Sequence, residues 1–125
     1  MEKNEKMKKT LILGASPNRS RMSWLVARDL IERGHEVVLV GNRAGEISGV
    51  PIHIGPIPVS DVDTVTLYLN PERQKAYFDY ILNLKPRRLI FNPGTEHAEL
   101  ARLAREAGIE VVVACTRVML AVGDY

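Results

Sequence analysis

The sequence predicts a single α/β domain with a mostly parallel sheet, and three observations support that prediction. The 125 residues have the length of one domain, and 46% of them are hydrophobic, which is enough for one sizeable core. Short, almost continuously apolar runs are typical of strands that are covered on both faces. These runs alternate with segments of helical spacing, and such units cross over right-handed into a parallel sheet.

Residues 8–125 form the predicted domain, and residues 1–7 form a polar leader ahead of it. The predicted elements, in chain order, are strand 10–15, helix 21–33, strand 37–40, a short edge strand at 51–54, strand 64–69, helix 71–84, strand 88–91, helix 95–107, strand 109–114 and a helical turn at 116–122. With helices on both faces of a five- or six-stranded, mostly parallel sheet, the fold class is a Rossmann-like three-layer α/β domain.

The helix ends are predicted from their terminal residues. Gly34 stands where a glycine commonly ends a helix, after apolar residues at helical spacing. Asn70 and Pro71 supply an N-cap and a first-turn proline for the second helix. The spacing of that helix predicts that Ala76 faces inward and Phe78 faces outward.

The third helix is predicted to begin at a cap on Thr95 and to end at Gly108. The apolar run that follows it, residues 109–114, predicts the last strand of the sheet. Residues 116–122 are expected to add a helical turn across the sheet edge.

Composition and charge exclude several classes of protein. The chain has 17 Lys and Arg against 15 Asp and Glu, and the excess of two lies within residues 1–9, so no nucleic-acid-binding face is expected. No apolar run approaches the roughly 20 residues that span a membrane, and the leader lacks a signal-peptide core. The single cysteine, Cys115, cannot form an internal disulfide. We therefore expect a soluble cytoplasmic domain.

Ligands of such sheets bind beyond the carboxyl ends of the strands, which selects the loops 14–21, 41–45, 69–71 and 92–96. In the first loop, Gly14 lets the chain turn and lets a ligand approach the backbone. Ser20 and Ser23 lie near a helix start, where free amides attract anions, and Arg19 and Arg21 add charged donors. The loop fits a phosphate, and the alternative is a plain strand-to-helix turn with solvated arginines.

An ordinary dinucleotide site does not fit this loop. The glycine-rich fingerprint would require glycines where Ser16 and Arg19 stand. After the second strand, NAD-binding proteins place an acidic residue for the ribose hydroxyls, whereas this chain has Asn42 and Arg43. A cation there fits a phosphate on the ribose, as in NADP or coenzyme A, and the alternative is a solvated loop arginine.

Three stretches, GASPNRSRMSWLVARDLIERGHEVVLVGNR, LYLNPE and FNPGTEHAELARLAREAGIEVV, resemble the small stand-alone CoA-binding domain proteins. These are related to the CoA-binding domain of succinyl-CoA synthetase, and the resemblance covers nearly the whole chain from Lys8. It implies a site for coenzyme A or an acyl-CoA. The implied contacts are Gly14, Ala15, Ser16, Pro17, Asn18, Arg19 and Ser23 at the pyrophosphate; Asn42 and Arg43 at the adenosine and 3′-phosphate; Tyr68, Leu69, Asn70 and Pro71 at the adenine and ribose; and Asn92, Pro93, Gly94 and Thr95 at the pantetheine arm. The second loop departs from relatives, which often have Asn-Pro where this chain has Gly-Asn-Arg.

No catalytic residue and no metal site is expected. His35, His53 and His97 lack the spacing of metal ligands, and His35 is expected to be a solvated turn residue. The phosphate-carrying histidine of the succinyl-CoA synthetase relatives lies in a different domain. The sequence therefore predicts a small-molecule binding module for coenzyme A or acyl-CoA, acting as a carrier, sensor or subunit with no evident reaction.

Two alternatives remain open at this point. One is an NADP-dependent reductase or a small nucleotide-binding enzyme that uses the same crevice, and the other is an interaction scaffold with a vestigial crevice. Homo-oligomerisation and a partner protein are both left open.

Overall fold

The computed structural model describes residues 6–125 and shows a seven-stranded sheet between two layers of helices. Of the predicted leader, residues 1–5 lie outside this range. The elements in chain order are β1 (Thr10–Ala15), α1 (Met22–Glu32), β2 (Val37–Gly41), β3 (Glu46–Ile47), β4 (Val50–Ile54), β5 (Thr64–Leu67), α2 (Pro71–Gln74), a 3-10 turn (Lys75–Tyr77), α3 (Phe78–Leu84), β6 (Arg88–Phe91), α4 (Ala98–Glu106), β7 (Glu110–Val113) and α5 (Thr116–Val122). The predicted Rossmann-like α/β domain is confirmed.

The strand order is β3-β4-β2-β1-β5-β6-β7, and each neighbouring pair is parallel except β3 with β4. The prediction of five or six strands was therefore too low. The additional strand, β3, is only two residues long, and it folds back antiparallel onto β4 through Ser48 and Gly49. A strand that short produces no periodic signal in the sequence.

The chain reverses its direction of travel across the sheet at β1. This strand pairs with β2 on one side and with β5 on the other. The loops after β1, β2 and β5 therefore diverge at one edge of the sheet, and this switch point is where open α/β sheets bind ligands.

Two apolar cores lie on opposite faces of the sheet, because the side chains of β1 alternate between them. Leu11 and Leu13 pack into the core that also contains residues of α3 and α4. Ile12 packs into the core that contains residues of α1 and α5, and Ala15 joins it because the register of β1 shifts between Leu13 and Ala15. β5 and β6 are buried at every position, and the buried positions include Thr64, Thr66 and Arg88.

The predicted helix 71–84 is interrupted, and two predictions about its faces were wrong. The 3-10 turn between α2 and α3 changes the angle between successive residues, so a stripe drawn with α-helical spacing shifts. Ala76 is exposed instead of buried. Phe78 is half-buried, and its ring lies edge-on to that of His97 with 5.0 Å between centroids.

The start of α4 and the environment of His35 also differ from expectation. The helix begins at Ala98 with His97 at its N-cap, whereas Thr95 donates a hydrogen bond of 2.7 Å to the carbonyl of Asn92. His35 is buried, not solvated, because its Nδ1 accepts a 3.0 Å hydrogen bond from the main-chain N–H of Lys8. Within residues 6–125, each helix is too short or too polar to span a bilayer.

Candidate functional site

A cavity of about 360 Å³ opens where the loops after β1, β2 and β5 meet. Small-molecule sites commonly have volumes of about 300–1,000 Å³, so the size is ordinary for a ligand pocket. We refer to it as the arginine cavity, because Arg21, Arg43 and Arg73 contribute to its wall. Its full lining is Gly14, Ala15, Ser16, Asn18, Arg21, Met22, Ser23, Asn42, Arg43, Tyr68, Leu69, Asn70 and Arg73.

The loop after β1 is held in shape by its own polar groups. Oγ of Ser16 accepts from the N–H of Asn18 at 3.1 Å. Oδ1 of Asn18 accepts from the N–H and the hydroxyl of Ser20 at 3.0 and 2.8 Å, and the carbonyl of Asn18 accepts from the N–H of Arg21 at 3.0 Å. These bonds fix the position from which α1 begins.

The start of α1 faces the cavity without a side-chain cap. Its N-cap residue, Arg21, makes no capping side-chain bond, and the first turn contains no acidic residue. The first amides of a helix have no partner inside the helix and carry the positive end of its dipole. Met22 and Ser23, the first two residues of α1, both line the cavity. The arrangement suits an anion such as a phosphate.

Gly14 is required by the close approach of two loops. It has φ +102°, and a Cβ there would lie 2.8 Å from the carbonyl carbon of Tyr68 and 3.0 Å from the N of Leu69. The N–H of Tyr68 in turn donates to the carbonyl of Leu13 at 2.8 Å. Gly14, at which the sequence predicts the approach of a ligand, therefore also lets the loops after β1 and β5 pack together.

The loop after β5 presents Arg73 to the cavity from the first turn of α2. Oδ1 of Asn70 accepts a 2.9 Å hydrogen bond from the N–H of Arg73, so the predicted N-cap is confirmed. The fully buried Gln74 donates through Nε2 to the carbonyls of Leu69 at 2.9 Å and Thr95 at 2.6 Å. This short helix is therefore anchored to the loops on both sides of it.

The charges around the cavity have one sign. Its lining contains three arginines and no carboxylate. Among the residues that the structure describes, Arg21, Arg43 and Arg73 form no ion pair. Guanidinium groups bind phosphate with two parallel hydrogen bonds, so this lining fits a ligand with several phosphate groups.

Burial raises the pKa of the Tyr68 hydroxyl above its ordinary value, and the nearby Cys115 thiol raises it further, against the lowering effect of Thr116 and Thr66. The phenol therefore stays neutral at physiological pH. None of the lining residues is a histidine, cysteine, lysine or carboxylate. The cavity wall offers contacts to anions and no group that titrates near neutral pH.

Arg19 and Pro17 lie outside the cavity lining although the sequence placed them at the pyrophosphate. The guanidinium carbon of Arg19 lies 5.5 Å from the ring centroid of Trp24, in a cation–π contact. Pro17 packs against the loop after β2: a Cβ built on Gly45 would lie 2.8 Å from the Cβ of Pro17.

The loop after β6 is also separate from the cavity lining. The side chain of Asn92 is buried, and it donates to Oγ1 of Thr66 at 2.7 Å and to the carbonyl of Leu67 at 2.8 Å. Its Oδ1 accepts from the N–H of Thr116 at 2.9 Å. Thr95 is buried and bonded to the carbonyl of Asn92. These two residues hold β5, β6 and α5 together.

The remaining members of this predicted group, Pro93 and Gly94, are exposed, and nothing lies within 4 Å of a Cβ built on Gly94. Pro71 begins α2 beside the cavity without lining it. The structure thus brings together ten of the predicted residues, namely Gly14, Ala15, Ser16, Asn18, Ser23, Asn42, Arg43, Tyr68, Leu69 and Asn70.

Three lining residues were missed by the predicted contact set: Arg21, Met22 and Arg73. A signal for Arg73 was present in the sequence. The first turn of a capped helix that follows a parallel strand lies at the carboxyl edge of the sheet, so a basic residue three positions after Asn70 falls beside the site.

Comparisons with known proteins agree with this architecture. A family model described as "CoA binding domain" matches residues 8–121. Among curated proteins, no sequence matches the chain. A crystal structure of an uncharacterized protein is similar, with 50% identity, a TM-score of 0.94 and coverage of 97% of this chain and 100% of that one.

Two further solved structures are similar at lower identity. One, from Thermus thermophilus, has 24% identity, a TM-score of 0.84 and coverage of 95% of this chain and 91% of its own, and its likeness shows the shared fold alone. A hypothetical protein from Pyrococcus horikoshii OT3 has 25% identity, a TM-score of 0.81 and coverage of 91% and 82%, respectively.

Proposed function

The chain belongs to the CoA-binding domain family, and from that premise we propose that it binds coenzyme A or an acyl-CoA in the arginine cavity. It acts in the cytoplasm as a carrier, sensor or subunit, delivering the bound thioester or free coenzyme to a partner protein. We assign no reaction to the arginine cavity itself, because the groups at its wall contact anions and do not move protons at neutral pH.

The observation that carries the proposal is the match between the phosphates of coenzyme A and three arginines that form no ion pair within residues 6–125. This coenzyme has a pyrophosphate and a separate phosphate on the ribose 3′ oxygen. Arg21 and the uncapped start of α1 form one positive region. Arg43 and Arg73, from the loops after β2 and β5, supply the positive charge elsewhere on the wall.

In the proposed complex, the loop 14–18, Arg21 and Ser23 contact the pyrophosphate. Asn42 and Arg43 contact the adenosine side, next to residues 68–70. The pantetheine arm leaves along the exposed Pro93 and Gly94, which lie beyond the cavity lining. Asn92 and Thr95 support that loop from below through buried hydrogen bonds and do not contact the ligand.

The test is a thermal melt of the full chain with coenzyme A, acetyl-CoA, NADP, NAD and ATP. A ligand at about 100 times its dissociation constant stabilises a fold by about 2.7 kcal/mol. At about 4 °C per kcal/mol for a domain of this size, that corresponds to an increase of about 11 °C in Tm. We expect the increase with coenzyme A and acetyl-CoA.

A matched pair of variants locates the effect. Arg21→Gln should remove most of the increase in Tm, whereas Arg105→Gln should retain it, because the exposed Arg105 is at the far end of α4 and does not line the arginine cavity. An increase with NADP alone would replace the proposal with a nucleotide-dependent enzyme. No increase with any of the five ligands would refute it.

A further inference from the structure

A second, smaller recess of about 100 Å³ adjoins the arginine cavity. Its own wall is mostly apolar and includes Leu13, Val40 and the ring of Tyr77. The two spaces share four residues, which are Gly14, Asn42, Leu69 and Arg73. They therefore form one continuous surface with a polar, positively charged part and an apolar part.

Arg73 is the one charged residue at the border between these two parts. Of the other shared residues, Gly14 has no side chain, Asn42 is neutral and Leu69 is apolar. Arg43 and Arg21 line the larger cavity only. A negative group at the border would therefore be neutralised mainly by Arg73.

The backbone of Arg73 is well positioned for such a role. Its N–H is held by the capping side chain of Asn70 at 2.9 Å. The next residue, Gln74, is fully buried and bonded to two loops. The guanidinium is exposed and, within residues 6–125, makes neither an ion pair nor a side-chain hydrogen bond, so binding a phosphate would break no existing interaction.

We propose that Arg73 determines specificity for the ribose 3′-phosphate of coenzyme A, with the adenine ring in the apolar recess. The inference rests on the proposed function. In coenzyme A the ribose joins the adenine to the pyrophosphate, so a ligand with its base in the recess and its pyrophosphate at the start of α1 has its ribose at the border. The 3′-phosphate on that ribose then faces Arg73.

Isothermal titration of the full chain with coenzyme A and with dephospho-CoA, which lacks only the 3′-phosphate, tests this assignment. The variants are Arg73→Gln and the matched control Arg105→Gln, which removes the same charge from an exposed position of α4 outside both the cavity and the recess. Glutamine is a good helix former, so α2 should persist, and a melt without ligand confirms it.

We expect Arg73→Gln to weaken binding of coenzyme A by about 10- to 100-fold, the range for a lost hydrogen-bonded charge contact. The same substitution should change the affinity for dephospho-CoA by less than about twofold, because this ligand lacks the phosphate that Arg73 is proposed to contact. Arg105→Gln should leave both affinities within about twofold of the unmodified chain. Arg73→Lys should retain part of the affinity for coenzyme A that Arg73→Gln loses, since lysine keeps the positive charge but lacks the planar guanidinium that binds phosphate through two parallel hydrogen bonds.

Two outcomes would overturn the inference, and they differ from failure of the proposed function. Equal weakening of coenzyme A and dephospho-CoA would place Arg73 against another part of the ligand. Unchanged binding of both ligands would remove it from the site. If the unmodified chain binds neither ligand, the proposed function itself fails, and the role of Arg73 fails with it.

Discussion

Replacing Asn92 by leucine separates a supporting role of this residue from a ligand contact. The resemblance placed Asn92 at the pantetheine arm, whereas its amide makes three buried hydrogen bonds of 2.7, 2.8 and 2.9 Å to Thr66, Leu67 and Thr116. A buried hydrogen bond contributes about 0.5–1.5 kcal/mol net, so the loss of three amounts to about 3 kcal/mol. At about 4 °C per kcal/mol for a chain of this length, Tm should fall by about 12 °C.

The assay is a thermal melt and a titration with coenzyme A on the same preparations, with Asn42→Ala as the matched control. Asn42 is exposed and lines the arginine cavity. Its variant should therefore keep its Tm within about 2 °C, since surface substitutions usually change stability by no more than about 0.5 kcal/mol, and it should bind coenzyme A more weakly. If Asn92→Leu instead kept its Tm and lost affinity, the supporting role would be refuted, and Asn92 would belong to the ligand site.

Two further predictions concern stability. Gly14→Ala should destabilise the fold by about 2 kcal/mol or more in urea titrations, since the φ of +102° is strained for alanine and the added Cβ would lie 2.8 Å from the Tyr68 backbone. The control Gly94→Ala, at φ +89° in open space, should lower the free energy of unfolding by only about 1 kcal/mol. Equal losses in the two variants would contradict the packing argument. Burial raises the pKa of the Asp63 carboxyl, but hydrogen bonds from Arg87 and Thr64 outweigh this effect, so the pKa in the folded state lies below its ordinary 3.8. The stability that the ionised carboxylate adds is therefore present above pH 3.8, and it is lost as the pH falls through the folded pKa. Urea titrations from pH 7 to about 2.5 should therefore show a weaker acid-side loss in Asp63→Asn, and identical pH profiles would count against the ion pair with Arg87.

The main strands could be predicted from the sequence because short runs rich in apolar and β-branched residues are typical of strands that are buried on both faces. β5 and β6 are buried at every position, including the polar residues Thr64, Thr66 and Arg88. Which side of a helix faces the core depends on tertiary contacts, and a single sequence does not show these contacts. Gln74 is buried but polar, so it gives no apolar signal for the inward side of this segment, and the 3-10 turn at Lys75–Tyr77 interrupts the helix; Ala76 and Phe78 were therefore placed on the wrong faces.

The loop after β6 shows a second limit of prediction from the sequence. Thr95 precedes a helix and has a side chain that commonly caps helices, yet its hydroxyl bonds back to Asn92 within a turn. Threonine makes both kinds of local bond, and the choice depends on the buried amide of Asn92, whose partners are distant in sequence. The supporting role of this loop therefore becomes visible only when β5, β6 and α5 are assembled.

The first turn shows why residue type alone does not select the arginine that lines the cavity. Arg19 and Arg21 are equally basic and two positions apart; the sequence offers both as charged donors, and the contacts implied by the resemblance include only Arg19. In the structure, Trp24 draws Arg19 away through a cation–π contact at 5.5 Å, and Arg28 approaches the same ring at 5.6 Å. Arg21 is held at the helix start by its 3.0 Å main-chain bond to Asn18 and so contributes to the cavity wall. The arginine in contact with Trp24 is thus the one outside the cavity lining, and a single sequence does not display that contact.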